Sequence, residues 1–213
     1  MRTDELVTLL STGAGAVESD VTARRYATAL GWGAFGATLL MAIMLGVRPD
    51  IDAAARLPMF WIKLAFPASV TVASLFAAAR LSRPGVRLGW VPGALVAPML
   101  AVWLLTAYVL LATPQPERAE LIMGRTWEYC LLSVPMLSLP VLVATLWAMK
   151  GLAPTRLALA GAAAGLLAGA IGALVYALHC PEMEAPFIGV WYVAGMLIPA
   201  AAGALLGPIV LRW

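Results

Sequence analysis

Cys130 and Cys180 are the only two cysteines in a chain of 213 residues, and the single histidine, His179, stands beside one of them. Thiolates are nucleophiles and soft metal ligands. Two thiolates with an imidazole would suit zinc, cadmium or copper(I), and a thiol pair alone can be oxidised to a disulfide if its Cα atoms approach within about 7 Å. The plainer readings are a structural disulfide, two unrelated packing thiols, and a histidine at a helix end that meets only water or a carbonyl. Glu128, Glu182 and Glu184 crowd the same edge, where they would add a ligand or raise the thiol pKa by repulsion. The elements that carry these residues decide between such readings.

Composition sets the class. The chain is 62% hydrophobic and 12% charged, against roughly 25% charged for a soluble domain. Apolar runs of about 20 residues are candidates to span a bilayer. Six occur, at Tyr26–Val47, Leu57–Ala79, Leu88–Thr113, Tyr129–Met149, Leu157–Leu178 and Ala185–Leu211, with Lys63 the one charge inside any of them. A membrane β-barrel would show segments of about ten residues with alternating polarity instead. The expected fold is therefore all-α, a polytopic membrane protein of six transmembrane helices. The first run is 22 residues long, longer than the h-region of a cleaved signal. Residues 1–25 are thus expected as a tail that stays on the protein, and residues 26–213 as one membrane domain with no room for a soluble catalytic domain.

Lys and Arg flanking the spans set orientation, because they are retained on the cytoplasmic side. Arg2, Arg24, Arg25, Arg80, Arg83, Arg87, Lys150, Arg156 and Arg212 fall on one side, and Arg48, Arg56, Arg118 and Arg125 on the other. Nine against four predicts both termini in the cytoplasm. Cys130 then opens the fourth span and Cys180 follows the fifth, both at the outer face, where an oxidising compartment permits a bridge. The net charge of +3 follows from the same bias and does not argue for direct nucleic-acid binding.

Lys63 lies about five residues into the second span. An ionisable residue there marks a functional candidate. Near the outer end its stem can also snorkel to the interface, which is the expectation here. Pairing with Glu128 or Glu182 would place it beside the thiols. Gly161, Gly165 and Gly169, spaced by four, read as a small-residue face for close helix packing. Pro67, Pro98, Pro135, Pro140 and Pro199 are expected to kink or open their helices.

In the tail, Thr3 suits a helix cap, Asp4 and Glu5 suit the positive first turn, and Leu6, Leu9 and Leu10 form one apolar stripe before Ser11-Thr12-Gly13 and Gly15. So short a helix is marginal alone in water. It can order by laying its stripe in a partner's groove, on the membrane surface or on the bundle. Acidic residues at its start disfavour anionic lipid and favour a protein partner.

Several stretches resemble the NrsF family of bacterial membrane anti-sigma factors. They are Met1-Arg2-Thr3-Asp4-Glu5-Leu6, Gly46-Val47-Arg48-Pro49-Asp50, Arg83-Pro84-Gly85, Ala153-Pro154-Thr155, Tyr176-Ala177-Leu178-His179-Cys180-Pro181-Glu182, Trp191-Tyr192 and Leu211-Arg212-Trp213. They run in order along the whole chain. Ile209-Val210 departs from the more basic pair expected before the final three residues. The resemblance implies a six-span protein of the bacterial inner membrane. It implies an inhibitor that holds an extracytoplasmic-function sigma factor at the cytoplasmic face, and two outward cysteines, Cys130 and Cys180 by position, that respond to metal or oxidative stress. No cofactor is implied.

Two other classes fit the sequence less well. A membrane thiol oxidoreductase that reduces quinone generally needs a Cys-x-x-Cys pair and a second pair to relay electrons, and neither is present. A small transporter would show repeated halves or charged midplane residues; residues 26–113 and 129–211 show no convincing repeat. No Ser/His/Asp arrangement or phosphate-cradling loop argues for an enzyme.

Overall fold

The computed structural model describes residues 2–12 and 20–212; the expected helix end at Gly13 and Gly15 lies outside them, as does Trp213 of the C-terminal motif. Every regular element among the described residues is helical. The tail helix α1 (Thr3–Thr12) precedes α2 (Val21–Met44), a short α3 (Ile51–Ala54), α4 (Pro58–Leu81), α5 (Val91–Ala112), α6 (Gln115–Met123), α7 (Trp127–Lys150) and α8 (Leu157–Tyr176). A short α9 (Ala185–Phe187) passes through a π-helical turn at Ile188–Tyr192 into α10 (Val193–Val210). Six helices are long and apolar enough to cross a membrane: α2, α4, α5, the α6–α7 unit, α8 and the α9–α10 unit.

The helices outrun the apolar segments that announce them. A hydrocarbon core of about 30 Å needs about 20 residues at 1.5 Å each, and polar turns extend the helix into the headgroups. So α2 begins at Val21, and Arg24 and Arg25 sit in its first two turns instead of in a tail ending at residue 25. The loop expected between the third and fourth spans contains α6, which starts on Pro114 and Pro116 and carries Glu117 in its first turn. Prolines suit that position because a first-turn N–H has no intrahelical partner.

α8 is the centre of the bundle, packed by α10, α7 and α4, while α2 lies on α7. In its most apolar window 72% of residues are buried, against 6% for α5, which lies at the periphery. The glycine face explains the central position. A methyl group at Gly161 would strike the Gly203 carbonyl of α10, and one at Gly165 the Pro199 carbonyl. Gly203 and Gly207 return the contact against Gly161 and Leu157. Two backbones without side chains between them gain dispersion contacts that lipid cannot match.

None of the five prolines ends its helix. Pro67, Pro98, Pro135, Pro140 and Pro199 all lie within continuous helices. Neighbouring hydroxyls take up nearby carbonyls, with Thr71 donating to the Pro67 oxygen (2.8 Å) and Ser138 to the Pro135 oxygen (2.6 Å). The irregular turn in the spans falls at Ile188–Tyr192, where no proline stands.

Candidate functional site

Both cysteines are free and fully buried at one end of the bundle. Cys130 occupies the first turn of α7, its N–H donating to the Thr126 carbonyl at 2.9 Å. Cys180 follows the end of α8, its N–H on the Tyr176 carbonyl at 3.0 Å. An antiparallel α7–α8 hairpin brings residues 50 positions apart back to one end of the bundle.

What holds Cys180 in place is its main chain. Lys63 Nζ donates to the Cys180 carbonyl and to the Glu182 carbonyl, each at 2.7 Å, with the Tyr192 ring 5.6 Å away. Arg48 Nη1 donates to the same Cys180 oxygen at 3.3 Å. The expectation that Lys63 snorkels to the interface is therefore corrected: its side chain is 0% exposed. A buried ammonium is costly unless its protons are taken up, and two strong acceptors at the break in helical structure after α8 do so locally. Lys63 does stand beside the thiols, but through backbone oxygens and not through the carboxylates of Glu128 or Glu182. Glu128 is exposed on α7. The Glu182 carboxylate instead accepts from the Arg125 N–H at 2.8 Å and the Thr126 hydroxyl at 3.4 Å, at the start of α7.

The loop after α2 closes the site. Gly46 adopts φ +74°, a left-handed turn that ends α2 and that a side chain would strain. Its carbonyl meets His179 Nδ1 at 2.9 Å. A carbonyl can only accept, so Nδ1 carries the proton. Arg48 forms a bidentate pair with Asp50, both bonds 2.7 Å, and its own N–H reaches the Leu178 carbonyl at 3.2 Å. The guanidinium holds the Asp50 carboxyl below the usual aspartate range, and Asp50 in turn raises Arg48.

Two tyrosines complete the surround. Tyr176 of α8 lies 5.9 Å from the His179 ring and 6.0 Å from the Tyr192 ring. Tyr192 is fully buried beside Cys180, and its hydroxyl makes no hydrogen bond among the described residues. It is presented by the π-helical turn. There α5 satisfies the displaced carbonyls, Trp103 Nε1 donating to Gly189 (3.0 Å) and the Thr106 hydroxyl to Ala185 (3.0 Å). Trp191 donates to the Ile122 carbonyl at 2.7 Å and stacks on Trp127 at 4.8 Å, tying α6 and α7 to the same turn.

Of the residues singled out by sequence, Cys130, Cys180 and His179 thus gather at one end. Among the described residues no three His, Cys, Asp or Glu side chains converge to hold a metal ion. Chemically the site is a pair of thiols sealed from water beside a buried ammonium. Arg48, Tyr176 and Tyr192 were not picked out as site residues. Their signal was their position inside Gly46–Asp50, Tyr176–Glu182 and Trp191-Tyr192, motifs too irregular in spacing to suggest chemistry alone. Asp4, Glu5, Leu6, Leu9 and Leu10 lie elsewhere, on α1, which buries none of its residues. Leu9 and Leu10 are 66% and 67% exposed. Thr3 is the first residue of that helix, and the Glu5 carboxylate accepts from the Arg2 N–H at 3.2 Å.

No solved structure matches the chain. It is 56% identical over 213 residues to the probable anti-sigma-F factor NrsF of Azospira oryzae, and 39% identical over 216 residues to the anti-sigma-F factor NrsF of Caulobacter vibrioides, each match covering all of both chains. The model of the NrsF family, negative regulator of sigma F, matches residues 10–213. With six apolar helices and a full-length match to two such relatives, the chain belongs to the NrsF family of negative regulators.

Proposed function

We propose that this protein holds an extracytoplasmic-function sigma factor at the cytoplasmic face of the bacterial inner membrane and releases it when Cys130 and Cys180 react. The full-length likeness to two anti-sigma-F factors carries the reading. Two structural features support it. α1 displays Leu6, Leu9 and Leu10 uncovered beside Asp4 and Glu5, a stripe suited to a groove on the partner. The thiols lie at the end of the bundle opposite the start of α2, which suits a signal received on the side opposite a partner held by the tail.

The chemistry of the signal is oxidation or capture of a soft metal ion. In oxidation by a peroxide, the two thiols surrender two electrons and two protons as the S–S bond forms, and the peroxide is reduced to water. A metal ion would displace the thiol protons and bridge the sulfurs. Either event alters the packing between α7 and the end of α8. Because Cys180 is gripped by Lys63 and Arg48, the strain passes to α4 and to the loop that ends α2. Moving a two-state equilibrium from 1:99 to 99:1 takes about 5.5 kcal/mol of differential binding, within reach of a new covalent or coordinate bond.

The test is a sigma-dependent reporter in cells carrying the wild type, Cys130→Ser/Cys180→Ser, or Leu6→Asp/Leu9→Asp. The leucine variant should express the reporter without stress and fail to co-purify with a sigma factor. The serine variant should repress normally and stay silent under cadmium or peroxide. Full induction of the serine variant would remove the thiols from the mechanism, and repression by the leucine variant would remove α1.

A further inference from the structure

The end of the bundle away from the thiols holds a second cluster that plays no part in the proposed mechanism. Arg80, Arg83, Arg87 and Arg156 line one cavity of about 300 Å³, together with Thr155 and the loop between α4 and α5. None of these arginines forms an ion pair with a described carboxylate. No described carboxylate therefore neutralises them, in a recess where field lines concentrate. Arg80 is the fixed member: its Nη1 donates to the Leu88 carbonyl at 2.6 Å and its guanidinium lies 5.4 Å from the Trp90 ring. That grip shapes the loop and leaves Arg83, Arg87 and Arg156 exposed around the cavity.

The location selects the anion. The cavity sits where α4 ends, α5 begins and α8 begins, so its mouth is at the polar limit of three spans. Trp90, 55% exposed next to the cluster, is the residue type that settles at headgroup depth. α5, which climbs from Trp90, buries few of its residues in the bundle and so offers an apolar flank to lipid. A phosphate headgroup at this depth can enter the cavity while its acyl chains lie along α5. Guanidinium forks match phosphate oxygens in pairs, and several of them suit a headgroup with more than one phosphate.

We propose that this cavity is a binding site for the phosphate headgroup of an anionic phospholipid, a doubly charged one of the cardiolipin kind above a singly charged one. It stands independently of the sigma-factor reading. The probe is the thermal midpoint of the full-length protein in neutral detergent, with added cardiolipin, phosphatidylglycerol, phosphatidylcholine or inorganic phosphate. Cardiolipin should raise the midpoint by on the order of 5 °C at saturation, phosphatidylglycerol by less and phosphatidylcholine not at all. Arg83→Gln/Arg87→Gln/Arg156→Gln should lose the rise, and the single Arg156→Gln variant should lose part of it. Lys150→Gln/Arg212→Gln, which removes charge outside the cavity, should keep it. An equal loss in that control would reduce the effect to general electrostatics and overturn the site. So would an equal rise with inorganic phosphate, which would make the ligand a soluble anion. A triple variant that keeps its lipid response but no longer retains a sigma factor would make the cavity a protein contact.

Discussion

At the scale of single residues, Lys63 carries the most physical consequence. Its four-carbon stem is buried and its ammonium serves two carbonyls, of Cys180, which Arg48 also reaches, and of Glu182. Lys63→Met preserves volume while stranding those oxygens, at about 1–3 kcal/mol for each unsatisfied buried acceptor. The variant should melt several degrees below wild type, and Cys180 should become faster to alkylate with a small permeant maleimide as its segment loosens. Unchanged melting and alkylation would show that Arg48 alone suffices. Lys63 also marks where sequence reasoning stopped. Its presence in a span was legible, but not its direction, because snorkelling and burial start from the same residue at the same depth. The acceptors that settle the matter are main-chain oxygens after α8, which no residue type advertises.

At the scale of elements, the apolar runs gave the number and order of the spans, since the bilayer imposes one length on each. They did not give the ends of α2 or the existence of α6, because polar turns beyond the hydrocarbon look like loop. The spacing of Gly161, Gly165 and Gly169 was legible for the reason that the contact itself is a repeat, one residue per turn against α10. Gly165→Leu should prevent close approach of α8 to α10, costing about 1–3 kcal/mol or more as the helices part. Thermal denaturation in detergent should show a clear drop, while Gly93→Ala, at a position where an added methyl meets nothing, should leave the midpoint in place. The π-helical turn had no such signature. Within Ile188–Tyr192 the Gly189 carbonyl accepts from Trp103 of α5, 86 positions away in sequence.

At the scale of the whole molecule, charge divides the two ends. Asp50, Asp52, Glu117, Glu120, Glu128, Glu182 and Glu184 accompany the thiols, whereas the arginine-lined cavity belongs to the end where α2 begins. Tyr26 of α2 bonds Ser82 after α4 at 2.8 Å at that end, and Gly46 bonds His179 at the other, so the alternation of spans is fixed by contacts and not only by counting. The proposed function requires the thiol end to face outward. Single cysteines placed at Asp52 and at Thr155 in the Cys130→Ser/Cys180→Ser background provide the check, since both positions are exposed. An impermeant maleimide applied to intact spheroplasts should label position 52 and not position 155. The reverse pattern would refute the orientation and with it the mechanism.

Lys63 and Arg48 both clasp the peptide oxygen of residue 180, an anchorage that does not depend on which atom ends its side chain. Reactivity and scaffold are therefore separable by genetics: a side chain of similar size at that buried position inherits the same anchorage. Trading sulfur for oxygen there silences a chemical group without loosening the joint that carries it.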